Sequence, residues 1–333
     1  MHPTILVTWW LWYIWSHTVV VLLEAWYKIV IIDNCSNSSL EVVDGIEQIA
    51  AIRPLLYQWD IGDESLLETI FTDHTIDAVI HFAAKKAVGE SMEVPFDYYH
   101  NNITGTQNLL RMMDRYSVRN IIFSSTCAVY NPINQPPYTE NMSTWPESVY
   151  GITKRIDEEM MEWLVLTKKL SACLLRYFNP IGNHSSGIIG ESPTQKPQNI
   201  MPVIMEVLEW KKDYLTVFGN QYPTRDGSCI RDYIHVMDLA EAHVQALEWL
   251  LHQSSPLCEI INLGTWTGTT VLEMIKAVEE ALKISLPYKI VDARTGDLPA
   301  VFGNCDKAKQ LLWRSTKRSL AEGIQDMWKF RNK

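Results

Sequence analysis

The chain has 333 residues, enough for two domains at roughly 100–200 residues each, and 47% of them are hydrophobic, so a sizeable core can be buried. Thirty-nine acidic against 29 basic residues give a formal charge of -10, which argues against nucleic-acid or polybasic membrane-surface binding and favours a small-molecule ligand. The six cysteines, at 35, 127, 173, 229, 258 and 305, form no C-x-x-C pair and sit near no histidine cluster, so a reduced, cytoplasmic chain without a metal site is expected. Ordinary usage of about 7% predicts roughly 23 glycines in this length. There are 15, beside 13 tryptophans.

The N-terminal run from Ile5 to Trp26 is mostly apolar and, at about twenty residues, long enough to be read as a membrane span. Ser16, His17 and Glu24 interrupt it, and no basic segment precedes it, which disfavours a span or a signal peptide. The competing reading is a βαβ unit. Thr4 to Thr8 is a β-branched strand, 9–15 a turn, about 14–25 a helix, and Lys28 to Asp33 a second strand.

Strands follow at Asp77 to Phe82, Asn120 to Ser125 and Ser171 to Tyr177, with helical segments around 64–72, 94–116 and 148–169. That alternation implies an α/β fold with a parallel, doubly wound, Rossmann-like sheet. After Asn179 the texture changes to a proline-containing loop and short mixed elements. The expected division is a dinucleotide-binding domain over 1–178, with a return around 234–264, and a smaller α/β substrate domain over 179–333.

The chemistry begins in SVYGITKRIDEEMMEW, where Tyr150 and Lys154 lie four residues apart and share a helix face. A nearby ammonium favours the phenolate and is expected to lower the tyrosine pKa toward that of a usable general base. Alone the pair is weak, since an exposed tyrosine and lysine on a helix are commoner. About 25 residues upstream, however, the strand NIIFSS runs into Thr126, placing a hydroxyl at the carboxyl end of a sheet strand.

Thr126, Tyr150 and Lys154 in this order match the catalytic set of the short-chain dehydrogenase/reductase superfamily. The stretches IIDNCSNSS, DAVIHFAAKKAVGES, YYHNNITGT, LLRYFNPIG, NIMP, VFGNQYPTRDGSCIRDYIHVMDLAEAH, INLG and GDLPA extend the likeness over nearly the whole chain. The sequence resembles the UDP-glucose 4-epimerases of the extended branch. The resemblance implies a bound NAD, with UDP-glucose and UDP-galactose as partners and a cytoplasmic homodimer paired through helices. It places Asp33 on the adenine ribose, Asn34, Asn37 and Ser38 on the adenosine side, and Asp60 and Ile61 at the adenine. Phe82, Ala83, Lys86, Asn101 and Phe178 line the rest of the cofactor path, together with Tyr150 and Lys154. On the substrate side it implies Thr126, Asn179, Asn199, Ile200, Phe218, Arg231, Arg294, Asp297 and Val301. Two arginines suit a diphosphate. Val301, where relatives vary between tyrosine and smaller residues, implies room for a 2-acetamido group and so acceptance of UDP-N-acetylhexosamines.

The implied reaction uses NAD as a recycled oxidant: Tyr150 deprotonates the sugar 4-hydroxyl, Thr126 supports that hydroxyl, and a 4-keto sugar turns over before reduction on its other face. A related nucleotide-sugar enzyme is the first alternative. A dehydratase would want an acidic pair after Thr126, where Cys127 and Ala128 stand.

The departure lies in the cofactor loop. Where the family has T-G-G-x-G-x-x-G, this chain reads Thr8, Trp9, Trp10, Leu11, Trp12, Tyr13, Ile14, Trp15. Those glycines allow a tight turn, approach of the backbone to the pyrophosphate and close helix packing. Four indoles there overpack the turn and oppose NAD binding. The resemblance also puts glycine at Trp26, Trp59, Trp210 and Trp266, which makes eight exchanges and accounts for the glycine deficit. UGA is read as glycine in some genetic codes and tryptophan in others, and such a misreading explains the pattern. If the tryptophans are genuine, the chain is a non-catalytic sugar-nucleotide-binding or membrane-anchored relative.

Overall fold

The computed structural model describes residues 2–8, 13–35, 40–191, 197, 199–294, 296–312 and 315–333. Trp9, Trp10, Trp12, Asn37 and Ser38 lie outside the described residues. The first part of the chain runs β1 (Thr4–Thr8), α1 (Ile14–Glu24), β2 (Lys28–Ile32), α2 (Glu41–Ala50), β3 (Leu55–Tyr57), α3 (Glu64–Asp73) and β4 (Ala78–His81). It continues with α4 (Val88–Glu93), α5 (Pro95–Tyr98), a π-helical segment Tyr99–Thr104, α6 (Gly105–Arg115), β5 (Asn120–Thr126), a 3₁₀ turn Cys127–Val129, α7 (Val149–Lys168) and β6 (Ser171–Tyr177). Then come β7 (Asn179–Ile181), α8 (Ile200–Leu208), β8 (Leu215–Phe218), β9 (Ile230–His235), α9 (Val236–Leu251), β10 (Cys258–Leu263) and β11 (Gly268–Thr270). The chain closes with α10 (Val271–Leu282), β12 (Tyr288–Val291), β13 (Ala300–Val301), α11 (Asp306–Leu312) and α12 (Leu320–Arg331).

Residues 1–132, 140–177 and 240–261 form one compact unit, and 133–139, 178–239 and 262–333 the other. In the first, seven strands order as β10-β6-β5-β4-β1-β2-β3. The pairs β1 with β2, β1 with β4, β4 with β5 and β5 with β6 are parallel. The strands are buried on both faces and read as runs such as KIVII and AVIH, as parallel strands covered by helices must. The order reverses between β1 and β4, and the carboxyl ends of strands beside such a switch point are where ligands bind.

All five expected strands, at 4–8, 28–33, 77–82, 120–125 and 171–177, are found within one residue of their expected ends. The expected helix over 94–116 is instead three pieces, α5, the π segment and α6. Helix α2 and the three-residue strand β3 were not anticipated. Among the described residues no helix is long and apolar enough to cross a membrane. The N-terminal apolar run is instead β1, α1 and β2, with Val19, Val20, Leu22 and Leu23 of α1 buried.

In the second unit β9 is central, pairing with β7 and β13 in parallel and with β11 antiparallel, while β12 pairs with β8. Its core joins Met201, Ile204 and Met205 of α8 to Met274, Ile275 and Val278 of α10 and to Ile324 and Met327 of α12.

Candidate active site

In the first unit, β5 carries Thr126 to its carboxyl end, and α7 starts at Val149 behind a Ser148 cap whose hydroxyl accepts from the Gly151 N–H at 3.1 Å. The next residue, Tyr150, meets the Thr126 hydroxyl in a hydrogen bond. Lys154, one turn along, is 2% exposed, with Nζ 4.4 Å above the Phe123 ring. The three expected catalytic side chains are therefore brought together.

The electrostatics correct one expectation. Burial pushes the Tyr150 phenol well above its ordinary value, with the neighbouring Tyr177 acting in the same direction and the Thr126 hydrogen bond opposing. Lys154 is itself pushed down to about 8 by burial, with Asp157 and Glu158 pulling it back up. Desolvation thus outweighs the charge pairing that the spacing suggested. Tyr177 is pushed up to about 12 by burial, and its hydroxyl bonds to Ser124.

Two networks that the sequence did not reveal hold this arrangement. Behind Tyr150, the Thr153 hydroxyl donates to the Tyr150 carbonyl at 2.8 Å and accepts from the Asn102 amide at 2.9 Å. Asn102 is fully buried in the π segment and also clasps the Lys85 backbone, its amide donating to the carbonyl and its oxygen accepting the N–H. Thr106 donates to the Asn102 carbonyl at 2.5 Å and meets His81 Nε2 at 2.8 Å, and His81 Nδ1 reaches Thr8 Oγ1 at 2.5 Å. His81 is held neutral by burial and by the Lys154 charge. A continuous polar file thus runs from the end of β1 to α7.

The second network is a buried ion pair. Arg176 donates from Nε and Nη2 to the two oxygens of Glu158 at 2.8 and 2.7 Å, and Ser125 donates to the same carboxylate at 2.6 Å. Both charged side chains are at most 2% exposed. The pair ties the middle of α7 to β5 and β6. An arginine in the otherwise apolar strand SACLLRY was the signal for it.

The expected cofactor residues are placed as follows. Asp33 follows β2, is 2% exposed and accepts from the Cys35 N–H. Asn34 donates to Asp60 at 2.7 Å, and the other Asp60 oxygen accepts from the Gly62 N–H. Ile61 is buried in the hydrophobic core. The Phe82 N–H donates to the Thr8 carbonyl at 3.1 Å, so Phe82 extends β4 toward the switch point, and Ala83 beside it is buried. Lys86 is exposed, and the Asn101 amide donates to Asn102.

Helix α1 begins after Tyr13 with no side-chain hydrogen bond from Tyr13 and no acid in its first turn, and its His17 and Ser16 side chains meet the Tyr13 carbonyl. The positive end of a helix dipole suits an anionic phosphate. That helix start, with a buried acid after β2, fits a dinucleotide such as NAD, and Trp15 and Tyr13, both buried, are what stands against it.

The second unit assembles part of the substrate set. Arg231 on β9 donates to the Ile230 and Leu298 carbonyls at 2.8 and 2.9 Å and reaches Asp297 at 3.5 Å. Val301 pairs with Arg231 in the β13–β9 register. The Arg294 guanidinium lies 3.5 Å from the centre of the Phe218 ring. Asn179 opens β7 opposite Tyr233 of β9. Asn199 caps α8 through its carbonyl, and Ile200 packs on the core. Phe178 is buried, its ring filling the space above Gly303.

The family model described as GDP-mannose 4,6 dehydratase matches residues 6–327. The UDP-glucose 4-epimerase of Bacillus subtilis is 44% identical over 96% of this chain and 94% of its own. That of Schizosaccharomyces pombe is 45% identical over 99% and 94%. The chain belongs to the UDP-glucose 4-epimerases of the extended short-chain dehydrogenase/reductase family. Solved epimerases agree. The Stenotrophomonas maltophila enzyme, with bound NAD and formylated UDP-arabinopyranose, superposes with a TM-score of 0.96 at 39% identity over 99% of this chain and 98% of that one. The Bifidobacterium longum epimerase in complex with NAD⁺ and UDP gives 0.93 at 37% identity, with the same coverage.

Proposed function

We propose that this chain interconverts UDP-glucose and UDP-galactose by inverting C4 of the hexose through a transient 4-keto sugar. The observation that carries this reading is the Thr126–Tyr150–Lys154 set at the end of β5 in a chain that matches epimerases over nearly its whole length. NAD, when bound, supplies a reversible two-electron acceptor. Tyr150 accepts the 4-hydroxyl proton and later returns it; burial makes its phenolate a strong base once formed. Thr126 holds the 4-oxygen by hydrogen bonding. Lys154, charged below about pH 8, favours the phenolate and binds the nicotinamide ribose. Asp33 takes the adenine ribose hydroxyls.

The first unit serves as the NAD domain and the second as the UDP-sugar domain, where Arg231 and Arg294 face the diphosphate and Phe218 and Asn199 the nucleoside. Uniform binding of the UDP leaves the hexose free to turn. The active species is a cytoplasmic homodimer. Val301, in register with Arg231, carries a smaller side chain than tyrosine, and on that ground UDP-N-acetylglucosamine is a second substrate.

The test is conversion of UDP-galactose to UDP-glucose by protein purified from its source organism, with size-exclusion chromatography reading the assembly. Turnover without added oxidant supports the reading. Oxidised sugar accumulating without epimer would overturn it, and UDP-glucose turning over while UDP-N-acetylglucosamine does not would remove the second substrate.

A further inference from the structure

Eight residues other than glycine adopt a positive φ among the described residues, and three of them are tryptophans: Trp26 at 65°, Trp210 at 60° and Trp266 at 69°. Tryptophan makes up 13 of 333 residues, so chance would place it there well under once. The left-handed region is disfavoured for any residue with a Cβ and is an outlier for a bulky one.

Two of the three positions are the same structural device. Helix α1 ends with the Trp26 N–H on the Leu23 carbonyl and the Tyr27 N–H on the Leu22 carbonyl, both 3.0 Å. Helix α8 ends with the Trp210 N–H on Val207 at 3.1 Å and the Lys211 N–H on Glu206 at 2.8 Å. This pair of bonds is the Schellman closure, whose left-handed residue is most often glycine. Neither indole is used: Trp26 is 67% and Trp210 90% exposed. The third, Trp266, turns the chain between β10 and β11 and gives its N–H to the buried Asp232 carboxylate, so its backbone conformation is fixed by a hydrogen bond.

Ala51, Ser117, Lys169 and Lys283 share the left-handed conformation, so a side chain is tolerated there. What distinguishes the tryptophans is that the same three positions are ones where the epimerase pattern has glycine. Backbone geometry and sequence pattern pick the same residues.

We infer that the native polypeptide carries glycine at 26, 210 and 266, its UGA codons being decoded as glycine. Those three φ angles owe nothing to any activity. The extension to 9, 10, 12, 15 and 59 rests on the epimerase reading, where it restores the T-G-G-x-G-x-x-G sequence. Trp15 is fully buried in the first turn of α1, where a glycine lets the helix approach the sheet. Trp249 inside α9 and Trp328 inside α12 are the internal controls, because glycine weakens a helix interior.

Tandem mass spectrometry of peptides from the protein purified from its source organism tests this directly. Glycine is expected at 26, 210 and 266 with tryptophan at 249 and 328; tryptophan at 26, 210 and 266 overturns the inference. Produced with a standard code, a chain carrying Trp26→Gly and Trp210→Gly is expected to melt at a higher temperature than the chain as written, and a lower one counts against it. A chain with all eight exchanges is expected to retain NAD through gel filtration. Glycine in the peptides with no NAD retained would leave the decoding intact and defeat the cofactor reading instead.

Discussion

Helices α1 and α7 follow strands β1 and β5 of the same parallel sheet, and they are built to opposite standards. The start of α7 has a serine cap, a glycine in its first turn and the Tyr150–Lys154 pair locked by Thr153, Asn102 and the Glu158–Arg176 ion pair. The start of α1 has neither cap nor first-turn glycine, and a fully buried indole at position 15. The Thr126, Tyr150 and Lys154 side chains are thus firmly held in a chain that has tryptophan where the glycines of a phosphate loop are expected. A drifting, inactive relative would be expected to lose both ends, since catalytic side chains are held only by function. The contrast points to a change confined to one residue type.

The comparison breaks most simply at Tyr150. If α7 is the working end, Tyr150→Phe in the glycine-bearing protein removes the proton acceptor and lowers kcat by roughly 10²–10⁴, the usual contribution of a positioned acid–base group. UDP-galactose binding, read by calorimetry, stays within a few-fold. Retained turnover would mean that α7 is scaffold only.

The next largest effect is on stability. Glu158→Ala leaves Arg176 buried with no carboxylate, and breaking one side of such a pair costs about 3–5 kcal/mol. Chemical denaturation of the apo protein measures it. A loss below about 1 kcal/mol would place the pair among surface-like bridges and dissolve its role in fixing α7.

Gly151 sharpens the glycine side of the contrast. A Cβ added there would lie 2.6 Å from the Ala128 carbonyl oxygen and 2.8 Å from the Pro146 Cβ, so the 3₁₀ turn after Thr126 touches the helix backbone itself. Gly151→Ala is expected to cost about 1–3 kcal/mol by overpacking, and to raise KM and lower kcat together as Tyr150 shifts from Thr126. An unchanged melting temperature would show that this contact gives way freely.

What the sequence disclosed follows the same physics. Thr4–Thr8, Asn120–Thr126 and Ser171–Tyr177 were readable because strands buried on both faces are unbroken apolar runs, and Tyr150 and Lys154 because a helix turns residues four apart onto one face. Strand β3 escaped because it is three residues long at the sheet edge, and α2 because it follows the polar sequence NCSNSS. Asn102, Thr106 and His81 were invisible because their link to α7 crosses 51 residues of sequence in one step. The raised Tyr150 pKa was misjudged for a related reason: spacing reports neighbours on one helix but not the burial that outweighs them. The tryptophans were legible as a count, while their backbone angles needed the fold.

The smallest effect concerns the pH at which α7 stops working. Lys154 titrates near 8 because burial disfavours its charge, while Asp157 and Glu158 on the same helix restore part of it. The other groups around it are the neutral His81 from β4 and the Phe123 ring from β5, neither of which supplies negative charge. A lysine whose pKa is depressed on folding is charged below that value and neutral above it, so kcat is expected to fall as pH rises through about 8. Asp157 is fully buried, its own pKa raised by that burial, with the Thr106 hydroxyl facing it. Asp157→Val removes the first of the two raising interactions, so the descending limb should move to lower pH. Lys154→Met should have no such limb, having lost activity throughout. A limb that stays in place in Asp157→Val would assign the fall to a group other than Lys154, and the working end of the cofactor path would then owe its pH dependence to the substrate side.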